Sequence, residues 1–461
     1  MLANISYNNV KEEIVNFLTS RKDLDKFVIN TSEKLPSSRI FTRNTKFPLS
    51  DMLAFMIMPR TESTAVELAE FAALAGKPSV CKQTFFIKRR QIRDEIFDEI
   101  NRRCVNDMYD SESADRMSNG MFLFAFDGTA LKLPDTPEIN AKFPKGRNKK
   151  GFYAQPQAKM EILKDVLNGT VIDIQVDTPL VSEPMLAVRS MKTLPRELID
   201  RSLFIFDRGY IGAGWFSWLQ QNDIQYIVRL PRGFNKDVDA FYGSGESAAD
   251  ILVEMSPGNW TRKGKKSFEA FGLEPDTCPP VLLHVLKCRL STGQTEVLAV
   301  RTKNGPLSCN EACRLYGNRW GAETSIDELK NELQIEVFSG NTVLCVMQDI
   351  KAKIIAYNIG VSVARRATDS LGGSSDAAGI SPGGKVRIKV NLNVGWHYLK
   401  QTIAKMLIRQ AGETVKILTE TLKNLKRNVE VYELNRHLPH GSGTNPSGGK
   451  YITFTNYKRA I

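Results

Sequence analysis

The sequence predicts an α/β chain, a sheet flanked by helices, with an all-helical region before it and a helical, basic region after it. Three observations carry this. From about residue 118 the chain alternates apolar runs and helical spacing in the order strand, strand, strand, helix, strand, helix, strand. Two of the strand runs, "MFLFAFD" (121–127) and "SLFIFD" (202–207), are apolar throughout and end in an acid. Before residue 118 only helical periodicity is present, interrupted by Pro, Gly and Ser.

The elements follow in order. Residues 1–117 hold four helical patterns: "NVKEEIVNFLTSRKDLDKFV", "SDMLAFMIM", "TAVELAEFAALAG" and "SVCKQTFFIKRRQIRDEIFDEINRRCV". Ser50 is expected to cap the second, and Ser79, after Pro78, the last. That last helix carries Lys82, Lys88, Arg89, Arg90 and Arg93 near its start. A short helix, a Gly-Lys-Pro turn and a basic helix resemble a helix-turn-helix DNA reader, with Lys88, Arg89 and Arg93 as candidate phosphate contacts. A solvated basic face on a packing helix would read the same way.

Residues 118–230 form the first part of the α/β core. Its strands are 121–127, 151–165, 169–177, 202–207 and 224–230, and its helices 182–194 and 213–222. Residues 231–310 are rich in Gly, Pro and Lys, then give two strand-like runs, "VLLHVLKCRL" and "TEVLAVRTK"; they read as a β-rich insertion. Residues 311–370 complete the core with two helices, the second long and apolar (342–366). Residues 371–461 contain a Gly/Ser-rich linker (369–385), a helix near 395–427 and a basic end that suits a phosphate backbone or a plain solvated terminus.

The net charge is +12, which points to a polyanionic partner, nucleic acid first. No stretch reads as a signal peptide and no apolar run is long enough to span a bilayer, so a cytoplasmic protein is expected. The seven cysteines are scattered and lack zinc spacing, which is expected of reduced thiols. Four isolated histidines offer no support for zinc or Ser–His chemistry.

The stretch "YGNRWGAETSIDELKNEL" (316–333) reads as one helix. With Arg319 at zero, Tyr316 falls at about +60°, Glu323 at about +40° and Lys330 at about +20°. The apolar stripe of Leu315, Ile326, Leu329 and Leu333 lies beside this row, between about −20° and −80°. A solvated face would be centred opposite the stripe. The row is either a set of i,i+4 pairs such as Arg319–Glu323 or a functional edge.

Asp127 and Asp207 each close a buried strand, where ligands bind in α/β sheets. Either alone is also what a turn former or helix cap looks like. Together with Glu323 they give a more specific order: acid on the first strand, acid on the fourth, acid on the helix after the fifth. Three carboxylates brought together repel unless protons or cations neutralise them. Mg²⁺ accepts oxygen ligands and leaves room for water and phosphate oxygens. Two such ions, roughly 3.5–4 Å apart, support in-line phosphoryl displacement.

This order resembles the RNase H-like mixed sheet, flanked by helices, of the DDE transposases. Tyr316, Arg319, Glu323 and Lys330 match the Tyr-x2-Arg-x3-Glu-x6-Lys signature of the bacterial insertion-sequence group. "FDGT" (126–129), "DRGY" (207–210) and "VMQDIKAKIIAYNIG" (346–360) are similar to its other motifs. Ala322 stands where the group often has a larger aliphatic, and Ile326 where an aromatic is common. The resemblance implies a cut-and-paste DNA transposase. Asp127, Asp207 and Glu323 would be catalytic acids and ligands of two Mg²⁺ ions, with Mn²⁺ able to substitute. Tyr316, Arg319 and Lys330 would grip phosphates at the cleaved end, around a flipped base. Arg208 is a further phosphate contact or a solvated turn residue. Trp260 completes a base pocket or belongs to the insertion's core. The implied partners are double-stranded DNA, as element ends and target, and a second copy of the chain on the bacterial nucleoid. A metal-dependent nuclease of the same fold without strand joining, and a catalytically inactive DNA-binding regulator, remain alternatives.

Overall fold

A computed structural model describes residues 27–28, 46–59, 62–110, 117–118, 120–148, 151–152, 155–253, 268–269, 271–274, 278–289, 293–372, 386–408 and 411–433. Nearly all of the first predicted helix, Trp260, the linker from 373 and the tail beyond 433 lie outside these residues.

Among the described residues four helices precede the sheet: α1 (Leu49–Ile57), α2 (Thr64–Ala75), α3 (Lys82–Arg89) and α4 (Glu95–Asp110). Two cap expectations are corrected. Pro48, not Ser50, precedes α1, and the chain runs extended past Ser79 so that α3 begins after Cys81. The single basic helix expected over 79–105 is two. Between them Ile92, fully buried, bridges to Val28, and the Arg93 amide donates to the Phe27 carbonyl at 2.8 Å. A non-local pairing thus overrides local helix propensity.

The core follows as β1 (Phe122–Lys132), α5 (Pro137–Lys142), β2 (Arg147–Asn148), β3 (Gly151–Phe152), β4 (Gln157–Asp165), β5 (Val171–Asp177), α6 (Glu183–Thr193), α7 (Arg196–Asp200), β6 (Ser202–Phe206), α8 (Ala213–Gln221) and β7 (Tyr226–Leu230). Next come α9 (Lys236–Gly243), β8 (Ala248–Val253), β9 (Val281–Arg289) and β10 (Thr295–Arg301). Then α10 (Cys309–Gly317), α11 (Trp320–Asn331) and α12 (Val343–Gly372) cover one face of the sheet. The last described elements are β11 (Val386–Val390), α13 (Leu392–Ile408), α14 (Ala411–Arg427) and β12 (Val429–Glu433). The helix expected near 395–427 is therefore two, α13 and α14, packed on each other through Thr402 and Thr421, whose hydroxyls meet at 2.8 Å.

The mixed sheet expected from the sequence is present, with eight strands in the order β5-β4-β1-β6-β7-β10-β9-β8. The β1–β6 and β6–β7 pairs are parallel and the others antiparallel. β8, β9 and β10, which lie within the residues read as a β-rich insertion, continue this sheet from β7. The apolar run 122–126 that opens β1 is buried on both faces. Phe122, Phe124 and Phe126 enter one apolar cluster with Phe204, Phe206 and Trp215; Leu123, Ala125 and Leu131 enter the other, with α12 and the N-terminal helices. No helix among the described residues is long and apolar enough to cross a membrane.

Candidate active site

Parallel pairing of β1 with β6 ends at Ala125↔Ile205. Immediately beyond, the rings of Phe126 and Phe206 stack at 5.2 Å with 8° between their planes. The residues that follow them, Asp127 and Asp207, therefore leave neighbouring strands side by side. Asp207 does end its strand, but Asp127 lies within β1, which runs on to Lys132 paired only with β4. The Gly209 amide donates to Asp207 Oδ1 at 2.7 Å.

The third acid arrives on α11. A capping box between Ser308 and Glu311 starts α10, and Asn318 closes its end by donating Nδ2 to the Arg314 carbonyl at 2.9 Å. Amides of Asn318, Arg319, Gly321 and Ala322 then bond three residues back, so the stretch read as one helix has a tight joint at 318–319. Tyr316 stands before the joint; Glu323 and Lys330 stand after it. α11 is fixed from below by Lys164 of β4, whose ammonium donates to the Gly321 carbonyl at 3.1 Å and to Ser325 Oγ. Burial pushes this ammonium down to about 8.

Two of the acids, Asp127 and Glu323, flank a cation supplied by the chain. Arg319 Nη2 lies 2.5 Å from Glu323 Oε1 and its Nη1 4.0 Å from Asp127 Oδ1. Burial pushes Asp127 up to about 7; Arg319 opposes this, while Glu323 and Asp207 add to it. Among the described residues no three His, Cys, Asp or Glu side chains lie close enough together to hold a metal ion. The donor chemistry nevertheless fits hard divalent cations. The set is all-carboxylate, and the Arg319 guanidinium now stands where positive charge is needed. Asp127, Asp207 and Glu323 are the residues that could hold such ions.

The rest of the signature is close by and incompletely satisfied. The Tyr316 hydroxyl and Arg319 Nε are buried without hydrogen-bond partners. Burial pushes the Tyr316 phenol up to about 12. Lys330 Nζ donates to Thr129 Oγ1 at 2.6 Å and to the Ala130 carbonyl at 3.1 Å, spanning α11 and the "FDGT" strand. Ala322 and Ile326, the two departures from the group's pattern, are both buried under the helix.

Residues 119–359, just over half of the 461, match the family described as the transposase DDE domain. The chain belongs to this DDE transposase family. A curated relative, the transposase InsG for insertion sequence element IS4 of Escherichia coli (strain K12), is 27% identical over 249 residues. That match covers 52% of this chain and 51% of the relative, so the chain spans about half the length of the curated relative it matches. Among solved structures, the cryo-EM structure of the piggyBac transposase synaptic complex with hairpin DNA covers 91% of this chain and 84% of that one. Its TM-score is 0.45 at 8% identity, a likeness too remote to bear on the site.

The other expected DNA contacts of this DDE transposase family member fare unequally. Arg89 is a correction: it is fully buried. Its Nη2 donates to Asp349 Oδ1 at 2.8 Å and to the Cys345 carbonyl at 2.7 Å, and its Nε to Gln348 Oε1 at 2.6 Å. It ties α3 to α12 and is not available to a phosphate. Lys88 Nζ donates to the Phe47 carbonyl at 2.7 Å, while Arg93, Lys82, Arg90 and Arg208 are exposed. The sequence reading missed Glu161, Glu183 and Tyr210, which gather next to the two aspartates. Tyr210 Oη donates to Glu161 Oε2 at 2.9 Å, and burial pushes the Glu161 carboxyl well above the usual range. The signal for Glu161 was a lone acid within the apolar strand "QAKMEIL"; Glu183 looks like any acid in a helix's first turn.

Proposed function

We propose that the chain is a DNA transposase that cleaves phosphodiester bonds at the ends of a mobile element and joins the freed 3′-hydroxyl ends to target DNA. The observation that carries this reading is Asp127 beside Asp207 and linked to Glu323 through Arg319, with the orphaned Tyr316 Oη and Arg319 Nε on the same helical stretch. Burying polar groups without partners is costly, so the arrangement suits completion by a ligand that accepts hydrogen bonds, as phosphate oxygens do.

Asp127, Asp207 and Glu323 would hold two divalent cations, Mg²⁺ with Mn²⁺ able to substitute. Such ions supply activation of the attacking oxygen and stabilisation of the leaving one. Arg319 neutralises Asp127 and Glu323 before DNA arrives and then turns its donors to the phosphates of the cut strand. Tyr316 donates to a phosphate oxygen or stacks on an unpaired base. Lys330 holds the strand near Thr129. Exposed Lys82, Arg90, Arg93 and Arg208 offer charge to the flanking duplex. Two copies of the chain, one per element end, would act together on the bacterial nucleoid.

The test incubates the full chain with candidate end duplexes, a target duplex and Mg²⁺, and sizes the products on a denaturing gel. Nicked ends followed by joined products are expected. Cleavage that never yields joined products would make the protein a nuclease, and binding without cleavage a regulator.

A further inference from the structure

Glu323 approaches the aspartates from the sheet face that carries α11. The opposite face holds another acid at the same place. Gly128 is in phase with Phe124 and Phe126 along β1, and Glu183, the first residue of α6, lies against it. A β-carbon on Gly128 would meet Glu183 Oε1 at 3.4 Å. One on Gly209 would meet Glu183 Oε2 at 2.8 Å and Asp207 Oδ1 at 3.0 Å. The Glu183 carboxylate therefore spans the glycines of both aspartate motifs. Its Oε2 and the Asp207 oxygen lie about one point that a side chain at 209 would fill. A side chain at 209 would have to push one of these two carboxylates aside.

A second observation shows that the place lacks a partner. Glu161 pairs in register with Gly128, so its side chain leaves the same face. It is fully buried; Oε2 accepts from Tyr210, and Oε1 has no hydrogen-bond partner. The charges acting on it are Glu183 and Asp127, which oppose its ionisation, and Lys159, which favours it. Lys159 supplies one positive charge here, and the buried Oε1 still lacks a partner, so the place suits a hydrogen-bond donor or a hydrated cation.

We propose that Glu183 is a fourth acid of the reaction centre, holding a hydrated divalent cation next to Asp207. The proposal rests on the transposase reading and adds a ligand to that site. The simpler role for Glu183 is a first-turn acid favoured by the α6 dipole.

The test titrates the full chain with Mn²⁺ alone and follows free Mn²⁺ by electron paramagnetic resonance, for the wild type, Glu183→Gln and Asp127→Asn. Thermal midpoints are recorded in EDTA alongside. Glu183→Gln is expected to weaken Mn²⁺ binding at least about tenfold, or to remove one bound ion, with an EDTA midpoint unchanged or raised. If Asp127→Asn weakens binding and Glu183→Gln does not, the fourth-acid assignment is overturned and the transposase reading stands. If neither weakens it, the metal assignment fails for both. A lower EDTA midpoint with unchanged Mn²⁺ binding would leave Glu183 only its helix-start role.

Discussion

Replacing Arg319 by alanine separates a strand-gripping role from a purely structural one. The side chain is nearly buried, at 9% exposure, and contacts Glu323 at 2.5 Å and Asp127 at 4.0 Å. Without metal, its removal leaves two acids facing each other, so the EDTA thermal midpoint should fall. With metal and DNA bound, one charge-assisted contact to a phosphate is lost, worth roughly 1.5–3 kcal/mol. At about 1.4 kcal/mol per tenfold, the step that needs the contact slows by about one to two orders of magnitude. The grip matters most after the first cut, when a free end must be held. Time courses on intact and pre-nicked end duplexes should therefore show joining, or hairpin formation, slowed more than nicking. Equal slowing on both substrates would mean that Arg319 merely sets Glu323, and the grip would be refuted. A folded variant with no defect on either substrate would refute both roles.

Further outcomes are expected. Lys330→Ala removes the tie between α11 and Thr129–Ala130 and should slow cleavage at least about tenfold while leaving the EDTA midpoint within a few degrees, as kinetics and a melting curve would record. Arg89→Ala breaks a buried ion pair and should destabilise the chain by roughly 3–5 kcal/mol in denaturant unfolding. Replacing exposed Lys82, Arg90 and Arg93 together by Ala should instead preserve stability and flatten the salt dependence of DNA binding. In EDTA, Asp127 with its carboxyl raised to about 7 keeps a proton that the unfolded chain, near 3.8, has already lost. Its contribution to stability therefore falls as pH rises from about 4 to 7, and Asp127→Asn should lose that component of the slope in thermal melts at stepped pH.

The alternation of elements, the two apolar strand runs leading to Asp127 and Asp207, and the helical character of 316–333 were legible because each is written locally, in period and composition. What escaped depends on distant partners. Arg89 looks like its neighbours Lys88 and Arg90, and partners on α12 such as Asp349, 260 positions away, make it an interior residue. The joint at 318–319 is set by Asn318 capping α10, so a uniform helix misplaced Tyr316 relative to Glu323 while keeping the Arg319–Glu323 pair. β8 is a half-exposed strand without a strong alternating pattern, and its pairing with β9 defines it. Glu161 and Glu183 come from elements that give no hint of meeting until the sheet brings Gly128 and Gly209 together. Trp260 lies outside the described residues, so its place in a base pocket stays an expectation.

The central claim is that Asp127, Asp207 and Glu323 form one centre for phosphodiester chemistry. Asp127→Asn, Asp207→Asn and Glu323→Gln each remove a charged oxygen with little change in volume. Measured on an end duplex in Mg²⁺, each should abolish cleavage while binding to the same duplex stays close to wild type. Near wild-type cleavage by any one of the three would contradict the account, because that residue would not belong to the centre.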